Sequence, residues 1–255
     1  MYSPTEQMIV AAARELADGS AVAVGTGLPC AAAMLAQKTH APNLLIVFEA
    51  GGIAPRLSAL PISVGDEATY HMAAMATSMA DVMTLAQKGM IDYTFLGGAQ
   101  IDPYGNLNST MIGTDHAKPK VRLPGSGGAN DLASFCRKTL TIMKQDTKKF
   151  VPKLDFLTTP GFLTGPGARD AAGLPNDSGP HRVITDLAIL DYHPETKRMR
   201  VKAVHVGRTL DEVKANTGFE LHVSDELMQT LPPTETELRV LRTEVDPGKV
   251  LLGKA

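Results

Sequence analysis

The sequence predicts an α/β protein: an open, mostly parallel sheet flanked by helices, with a β-rich C-terminal flap. Short apolar runs alternate with segments of helical periodicity along the first half of the chain, an order typical of parallel sheets. Runs rich in β-branched residues follow in the C-terminal part. With 255 residues, of which 44% are hydrophobic, the chain can bury a large core. No linker or repeat interrupts it, so we expect one domain over residues 1–255.

The N-terminal elements predict a β-α-β unit. Ser3 and Glu6 form a capping-box pattern with proline at the first helical position, which predicts a helix to about Asp18. Apolar residues 21–24 predict a strand, the following glycine turn leads to a helix over residues 30–40, and residues 44–48 predict the next strand. Two strands joined by a helix pair in parallel.

Two further helices are predicted in the middle of the chain. Residues 72–89 are rich in Ala, Met and Leu and precede an apolar strand over residues 91–96. Apolar residues recur on one helical face between 129 and 143, so we expect a helix there with Asn130 as its N-cap.

The C-terminal part has a β-rich texture. Residues 183–190 and 199–206 predict two strands that pair as a hairpin across a polar turn. Capping boxes at Thr209 and Thr234 then predict two helices, the second running through Glu244.

Composition and charge narrow the classes of function. The 25 basic and 27 acidic residues give a net charge of −2, so no overall field favours nucleic acid or anionic membranes. No apolar run approaches the roughly 20 residues that span a bilayer, and the N-terminus lacks the pattern of a signal peptide. Cys30 and Cys136 form no disulfide framework, which suits a reducing compartment. We therefore expect a cytoplasmic protein whose partners are small molecules or other proteins.

The sequence contains neither the residue spacing typical of a metal site nor the motif of a serine hydrolase. The seven histidines are dispersed, and none lies at metal-ligand spacing from another His, Cys or Asp. No G-x-S-x-G motif is present. We expect no metal site.

Glu49 is the strongest candidate for chemistry. It ends the apolar run 44–48 and precedes the turn Ala50-Gly51-Gly52, so it lies at the carboxyl end of a predicted parallel strand. Open α/β sheets place their ligand crevices at that edge. A carboxylate there can act as acid, base or nucleophile, and the alternative is an ordinary acidic residue where a strand meets solvent.

Three glycine-rich segments are candidates for binding anionic groups through backbone N–H. Gly25 and Gly27 lie between a strand and a helix, and Gly97, Gly98 and Gln100 follow another strand. Gly127 and Gly128 precede a predicted helix, where their N–H groups can stabilise an oxyanion. A purely structural tight turn is the alternative for the first segment, and the turn residues Asp102-Pro103-Tyr104-Gly105 could explain the second.

A basic cluster precedes the third glycine segment. It consists of His116, Lys118, Lys120 and Arg122. Such a cluster is either a solvated loop or a surface that meets ligand phosphates or an acidic partner.

A series of short motifs runs in order along the chain: Gly25-Thr26-Gly27-Leu28-Pro29, Glu49-Ala50-Gly51, Ser63-Val64-Gly65-Asp66, residues 95–106, residues 125–130, Thr159-Pro160-Gly161, Gly165-Pro166-Gly167, Asn216-Thr217-Gly218-Phe219 and Asp246-Pro247-Gly248. This series resembles one family, the class I CoA-transferases, and within it the B subunit of the glutaconate CoA-transferase type. The resemblance covers essentially the whole chain. It implies the CoA-transferase-like fold.

The resemblance also implies a mechanism. Glu49 matches the family's nucleophile, which passes through a mixed anhydride to a glutamyl-CoA thioester and hands CoA to a second, here dicarboxylic or other organic, acid. Gly127 and Gly128 match the glycine pair that donates N–H to the oxyanion, and the remaining candidate glycines with Gln100 are expected to contact CoA. Coenzyme A is then a substrate, as acyl-CoA, and no cofactor is permanently bound.

A partner is implied as well. The family is built from two related halves, so we expect an A subunit on a separate chain, in an A2B2 or larger assembly. Other members of the family act as CoA-ester C–C hydrolases or as decarboxylases, with the glutamate replaced. The turn Ala50-Gly51-Gly52-Ile53-Ala54-Pro55, which has small residues where the glutaconate enzyme has bulkier ones, and the nearby Arg56 depart from the glutaconate pattern and leave the substrate open. A non-catalytic module that binds sugar phosphates is the remaining alternative.

Overall fold

The computed structural model describes residues 1–253, which divide into two compact units. Unit 1 comprises Met1–Leu96 with the described residues from Leu231 onward, and unit 2 comprises Gly97–Thr230. No helix within residues 1–253 is long and apolar enough to cross a membrane. The single domain expected over residues 1–255 stays a prediction.

Unit 1 contains a five-stranded sheet. Its strands are β1 (Ala21–Val24), β2 (Leu45–Phe48), β3 (Gly52–Ile53), β4 (Met75–Ala76) and β5 (Tyr93–Leu96). They lie in the order β5-β1-β2-β3-β4. The centre, β5-β1-β2, is parallel as predicted, whereas β3 and β4 add antiparallel at the edge.

The helices of unit 1 are α1 (Pro4–Ala13), α2 (Leu28–Lys38), α3 (Met79–Gln87) and a C-terminal helix (Glu235–Val240) that continues as a π-helical turn (Leu241–Val245). α1 packs against α2, and the core between helices and sheet includes Ile9, Leu35 and Phe48, all fully buried. Arg14 pairs with Glu237 at 2.7 Å and Arg242 with Glu6 at 2.6 Å, which joins the C-terminal helix to α1.

Unit 2 is richer in strands. They are β6 (Gln100–Ile101), β7 (Leu107–Asn108), β8 (Met111–Ile112), β9 (Val121–Arg122), β10 (Lys138–Ile142), β11 (Pro180–Ile184), β12 (Ala188–Tyr192), β13 (Met199–Val204) and β14 (His222–Gln229). Its helices are α4 (Ala129–Phe135), α5 (Ala168–Ala171) and α6 (Leu210–Ala215). The main sheet has the order β14-β13-β12-β11-β10, and β6-β7 and β8-β9 form separate hairpins.

The three predicted capping boxes are confirmed, with Ser3, Thr209 and Thr234 as N-caps. α1 nevertheless ends at Ala13 rather than near Asp18, because the next N–H groups close tighter turns, Glu15 to Ala12 and Leu16 to Ala13. The hairpin predicted across 191–198 joins β12 and β13, but its first run divides into β11 and β12.

The helix predicted over residues 72–89 begins only at Met79. Ser78 accepts the N–H of Asp81, and Asp81 accepts the N–H of Ser78, in a fourth capping box that uses aspartate instead of glutamate. This cap sets the helix start. The Ala- and Met-rich residues before it supply β4, so composition alone was a poor guide to the boundary.

The helix predicted over residues 129–143 is wrong in its second half. α4 ends at Phe135, and Lys138–Ile142 is β10, parallel to β11. Thr139, Thr141 and Ile142 are β-branched, which favours extended backbone. Every residue from 139 to 142 is buried, so both faces of the strand are covered. The strand therefore shows no alternation between a covered and an exposed face.

His205 is a buried histidine in unit 2 with both ring nitrogens bonded. Nε2 lies 2.9 Å from the carbonyl of Thr185, so Nε2 carries the proton, and Nδ1 lies 2.9 Å from the hydroxyl of Thr230. Burial lowers the pKa of His205 below its ordinary 6.5, and the positive charge of Arg208 lowers it further, although Asp186 and the Thr185 bond oppose this. The folded state therefore holds this ring neutral.

We expect acid to destabilise the fold through His205. In the unfolded chain the ring takes up a proton as the pH falls below about 6.5, while the folded ring resists it, so the free energy of unfolding decreases by at most about 1.4 kcal/mol per pH unit from this group. Denaturant unfolding of wild type and His205→Gln between pH 7.5 and 5.5 checks it. The difference in the free energy of unfolding between wild type and the variant should decrease as the pH falls. A difference that stays constant would contradict a neutral His205 in the folded state.

Candidate functional site

Glu49 and the first glycine turn lie at the same edge of the unit 1 sheet. β1 and β2 are parallel, and their last residues, Val24 and Phe48, are paired. Gly25 and Glu49 are therefore the next residues of adjacent strands. Gly27 follows at a φ of 76° and is the N-cap of α2. The structure thus brings Glu49, Gly25 and Gly27 together at the carboxyl end of the strands, where the sequence placed the site.

The turn after Glu49 is fixed by two glycines. A Cβ added to Gly51 would lie 1.9 Å from the carbonyl oxygen of Thr77, and one added to Gly52 would lie 2.0 Å from that of Thr69. Gly51 also has a φ of 122°, which disfavours any side chain. Only glycine lets the chain pass this close to its neighbours, so the backbone around Glu49 is held from both sides.

Further contacts hold the same turn. The Tyr70 hydroxyl donates to the carbonyl of Ala50 at 2.5 Å, and the N–H of Thr77 donates to the carbonyl of Gly51 at 3.0 Å. Tyr70 belongs to a 3₁₀ turn (Glu67–Tyr70) capped by Asp66. Sequence reasoning did not single out Tyr70 or Thr77. Their distance along the chain from Glu49 hid them, and the only local signal was the Asp66 turn.

The Glu49 side chain itself is half-buried and unengaged. It forms no hydrogen bond or ion pair with any residue of the described chain 1–253. A carboxylate that serves structure is normally paired or bonded when partly buried. Glu49 instead presents free oxygens on a rigid backbone, which is the arrangement that a nucleophile or base requires.

Gln100 is tied into unit 2 by its side chain. Its amide oxygen accepts from Asn108 at 2.7 Å and from the N–H of Asp155 at 3.0 Å, while its amide nitrogen donates to the Asp155 carboxylate at 3.3 Å. Gly98 is equally confined, because a Cβ there would lie 3.1 Å from the carbonyl of Gln100. Gly97 is exposed. The amide of Gln100 thus shapes this segment through Asn108 and Asp155, two residues that sequence reasoning missed.

The glycine segment 125–128 is joined to the same network. The N–H of Gly125 donates to the carbonyl of Ser109, and the hydroxyl of Ser109 donates to the carbonyl of Gly125, each at 2.9 Å. Gly128, not the predicted Asn130, is the N-cap of α4, since the Asn130 amide is used in a 3.0 Å bond to the carbonyl of Thr158.

The backbone N–H groups of Gly127 and Gly128 remain available. Neither donates a hydrogen bond to any residue between 1 and 253, although Gly128 is buried. Gly127 has a φ of 50°, which turns the chain just before α4. Two adjacent unpaired donors are a suitable cradle for a developing negative charge.

Asp102 and Asn106 organise the turn between β6 and β7. Asp102 accepts the N–H groups of Tyr104 at 2.9 Å and Asn106 at 3.0 Å, as an aspartate that begins a turn typically does. Asn106 in turn accepts from Gly161 at 2.7 Å and Leu163 at 3.1 Å. Burial raises the pKa of Asp102, although its hydrogen bonds oppose the shift. These contacts support the loop and leave no free group for chemistry.

No group of three or more His, Cys, Asp or Glu side chains within the described residues is arranged to hold a metal ion. Cys30 and Cys136 are both buried and free, and burial raises the pKa of the Cys30 thiol to about 12, so it is not a nucleophile.

Comparison with known proteins identifies the family. The model of the coenzyme A transferase family matches residues 5–216. The chain is 41% identical over 242 residues to the B subunit of 3-oxoadipate CoA-transferase from Pseudomonas knackmussii, which covers 94% of this chain and 92% of that protein. It is 37% identical over 256 residues to the B subunit of glutaconate CoA-transferase from Acidaminococcus fermentans, covering 98% of this chain and 95% of that protein.

Solved structures agree with this assignment. The crystal structure of glutaconate CoA-transferase from Acidaminococcus fermentans matches with a TM-score of 0.94 and 35% identity, over 100% of this chain and 98% of that one. The decarboxylase AibA/AibB matches with a TM-score of 0.83 and 26% identity, over 97% of this chain and 96% of that one. The predicted class of fold is confirmed. The chain belongs to the coenzyme A transferase family.

Proposed function

We propose that the chain is the B subunit of a CoA-transferase that moves CoA between an acyl-CoA and an organic acid through a glutamyl-CoA thioester on Glu49. The observation that carries the proposal is the unpaired Glu49 carboxylate on a rigid turn at the carboxyl end of β2. Its relatives are named for glutaconate and 3-oxoadipate, both dicarboxylates, which supports a dicarboxylic substrate.

The transfer of CoA needs no reagent other than the Glu49 carboxylate and the two substrates. A Glu49 oxygen attacks the thioester carbonyl and expels CoA thiolate, which leaves a mixed anhydride. The thiolate then attacks the glutamyl carbonyl and releases the first acid as its carboxylate. The acceptor carboxylate repeats these steps in reverse, so Glu49 is regenerated and no ATP is consumed. Covalent catalysis divides one difficult exchange into steps of lower barrier.

The glycine segments are proposed to assist this chemistry. The free N–H groups of Gly127 and Gly128 donate to the oxyanion that forms when the thioester is attacked. Gly25 and Gly27, beside Glu49, and Gly97 and Gly98, in the segment that Gln100 orders, are proposed to let the CoA chain approach the backbone.

A second chain is proposed to complete the enzyme. The relatives at 41% and 37% identity are both named as B subunits, which supports an A subunit on a separate polypeptide. We propose an A2B2 or larger assembly.

Mass spectrometry of the co-expressed subunits tests the proposed intermediate. After incubation with an acyl-CoA and reduction with borohydride, we expect a mass change on the peptide that contains Glu49, as reduction of a glutamyl thioester requires. The same treatment without acyl-CoA is the control. No adduct, together with CoA exchange at full rate, would refute the covalent route.

A CoA-ester decarboxylase or C–C hydrolase is the second candidate, favoured by the structural match to the decarboxylase AibA/AibB. Product analysis separates the two functions. A transferase forms product only when an acceptor acid is present, whereas a decarboxylase or hydrolase consumes the CoA ester alone.

A further inference from the structure

The β8-β9 hairpin carries a cluster of cations that Glu49 chemistry does not explain. Lys118, Lys120 and Arg122 are all exposed, and none of them forms an ion pair with residues 1–253. The carboxylate in the same loop, Asp115, is occupied by the N–H groups of Ala117 at 2.9 Å and Lys118 at 3.3 Å. The hairpin thus carries three cations and one carboxylate, an excess of positive charge in a protein whose net charge is −2.

The hairpin is held in place by several contacts. Arg122 donates to the carbonyl of His116 at 2.9 Å, and the His116 ring lies against Phe156 with 5.7 Å between centroids. At its base, the N–H of Gly113 donates to the Asp155 carboxylate at 2.8 Å, the carboxylate that also bonds Gln100. These contacts keep the loop between the strands on a fixed scaffold, so its cations cost less entropy to order around a ligand than those of a free loop would.

The same hairpin leads directly into the glycine segment proposed as the oxyanion site. After β9, the N–H of Leu123 donates to the carbonyl of Thr110 at 2.9 Å, and Gly125 bonds Ser109 on the chain that enters the hairpin. Gly127 is seven residues beyond Lys120, so the two lie at most about 25 Å apart. Coenzyme A has the same layout, with its thioester at one end of the pantetheine arm and its phosphates at the other.

We propose that Lys118, Lys120 and Arg122 bind the phosphates of the nucleotide part of coenzyme A while its thioester lies at Gly127 and Gly128. This inference rests on the proposed function and adds to it a location for the multiply anionic end of the substrate. Lysine ammonium and arginine guanidinium groups are the usual protein partners of phosphate oxygens, and their exposure lets a polar ligand bind without the cost of burying unpaired charge.

The test is equilibrium binding of CoA to the co-expressed subunits. We compare wild type with Lys118→Gln/Lys120→Gln, and use Lys148→Gln/Lys214→Gln as a control, since those two lysines are exposed, lie elsewhere in unit 2 and remove the same charge. The hairpin variant should raise the Kd of CoA by about 2- to 30-fold at low ionic strength and flatten its salt dependence, whereas the control should match wild type.

Other outcomes separate this inference from the proposed function. An unchanged Kd in the hairpin variant, or an equal change in both variants, overturns the inference and leaves a solvated loop or a contact with an acidic partner as the role of the cations. A hairpin-dependent Kd without any adduct on Glu49 supports the phosphate site and removes the covalent mechanism alone. In exchange assays, the hairpin variant should raise the KM for acyl-CoA and leave kcat nearly unchanged.

Discussion

Replacing Glu49 with alanine is expected to abolish CoA exchange, with a decrease in kcat of at least about 10⁴-fold, the scale on which removal of a covalent nucleophile acts. No other described carboxylate combines an unengaged side chain with the strand-end position of Glu49, beside the turn of Gly25 and Gly27. The measurement is the steady-state rate of exchange between an acyl-CoA and an acceptor acid by the co-expressed subunits.

Two variants sharpen this result. Glu49→Asp keeps the carboxylate but withdraws it by one methylene, so it should retain a small fraction of activity, because attack requires the oxygen at its reaction distance. Glu220→Ala removes an exposed acid in unit 2 and should leave exchange unchanged. Assembly and melting temperature should be preserved in all three, since the Glu49 side chain bonds to nothing within residues 1–253. Wild-type exchange by Glu49→Ala would refute its role.

Replacing Gly52 with alanine is expected to destabilise the fold strongly. The new Cβ would lie 2.0 Å from the carbonyl oxygen of Thr69, a backbone atom that cannot rotate away. Thr69 is fully buried, and its hydroxyl bonds the carbonyl of Asp66 at 2.7 Å, so the turn has little room to yield. We expect a loss of about 3 kcal/mol in the free energy of unfolding, at the upper end of what overpacking costs, and a decrease in Tm of about 6–12 °C.

Gly65→Ala is the matched control for this prediction. Gly65 is exposed and lies just before the 3₁₀ turn that contains Thr69. No atom lies within 4 Å of a Cβ added to Gly65, and Gly65, like Gly52, does not have a positive φ. Its replacement should change Tm by little. Thermal unfolding followed by circular dichroism compares both variants with wild type. If Gly52→Ala melted like Gly65→Ala, the close approach of Thr69 to the Glu49 turn would be wrong.

The candidate site was more predictable than its supports. The sequence marks Glu49, Gly25 and Gly27 as candidates because a strand followed by a glycine turn is a local pattern, and parallel pairing of β1 and β2 places their ends together. Tyr70 and Thr77 hold the same turn, yet no local pattern marks them, since their bonds cross 20 or more residues of chain.

Secondary-structure elements that depend on neighbouring residues were also easier to predict than those that depend on distant pairing. Capping boxes were read correctly because all the groups involved lie within four residues of each other. β10 was missed because an apolar run that is buried on both faces has no periodicity to distinguish strand from helix, and its pairing with β11 joins residues about forty positions apart.

Neighbouring residues and an ordered series of motifs are enough to predict the family, the parallel α/β core, the capping boxes at Ser3, Thr209 and Thr234, and the acid at the end of β2. Packing between separate segments settles which glycines are indispensable, because no local pattern shows that the carbonyl of Thr69 lies against Gly52 while no atom lies within 4 Å of a Cβ added to Gly65. It also decided that the Gln100 amide bonds Asp155, 55 residues away, and that the Glu49 carboxylate stays free. Contacts between distant segments arise from packing, which no local pattern encodes.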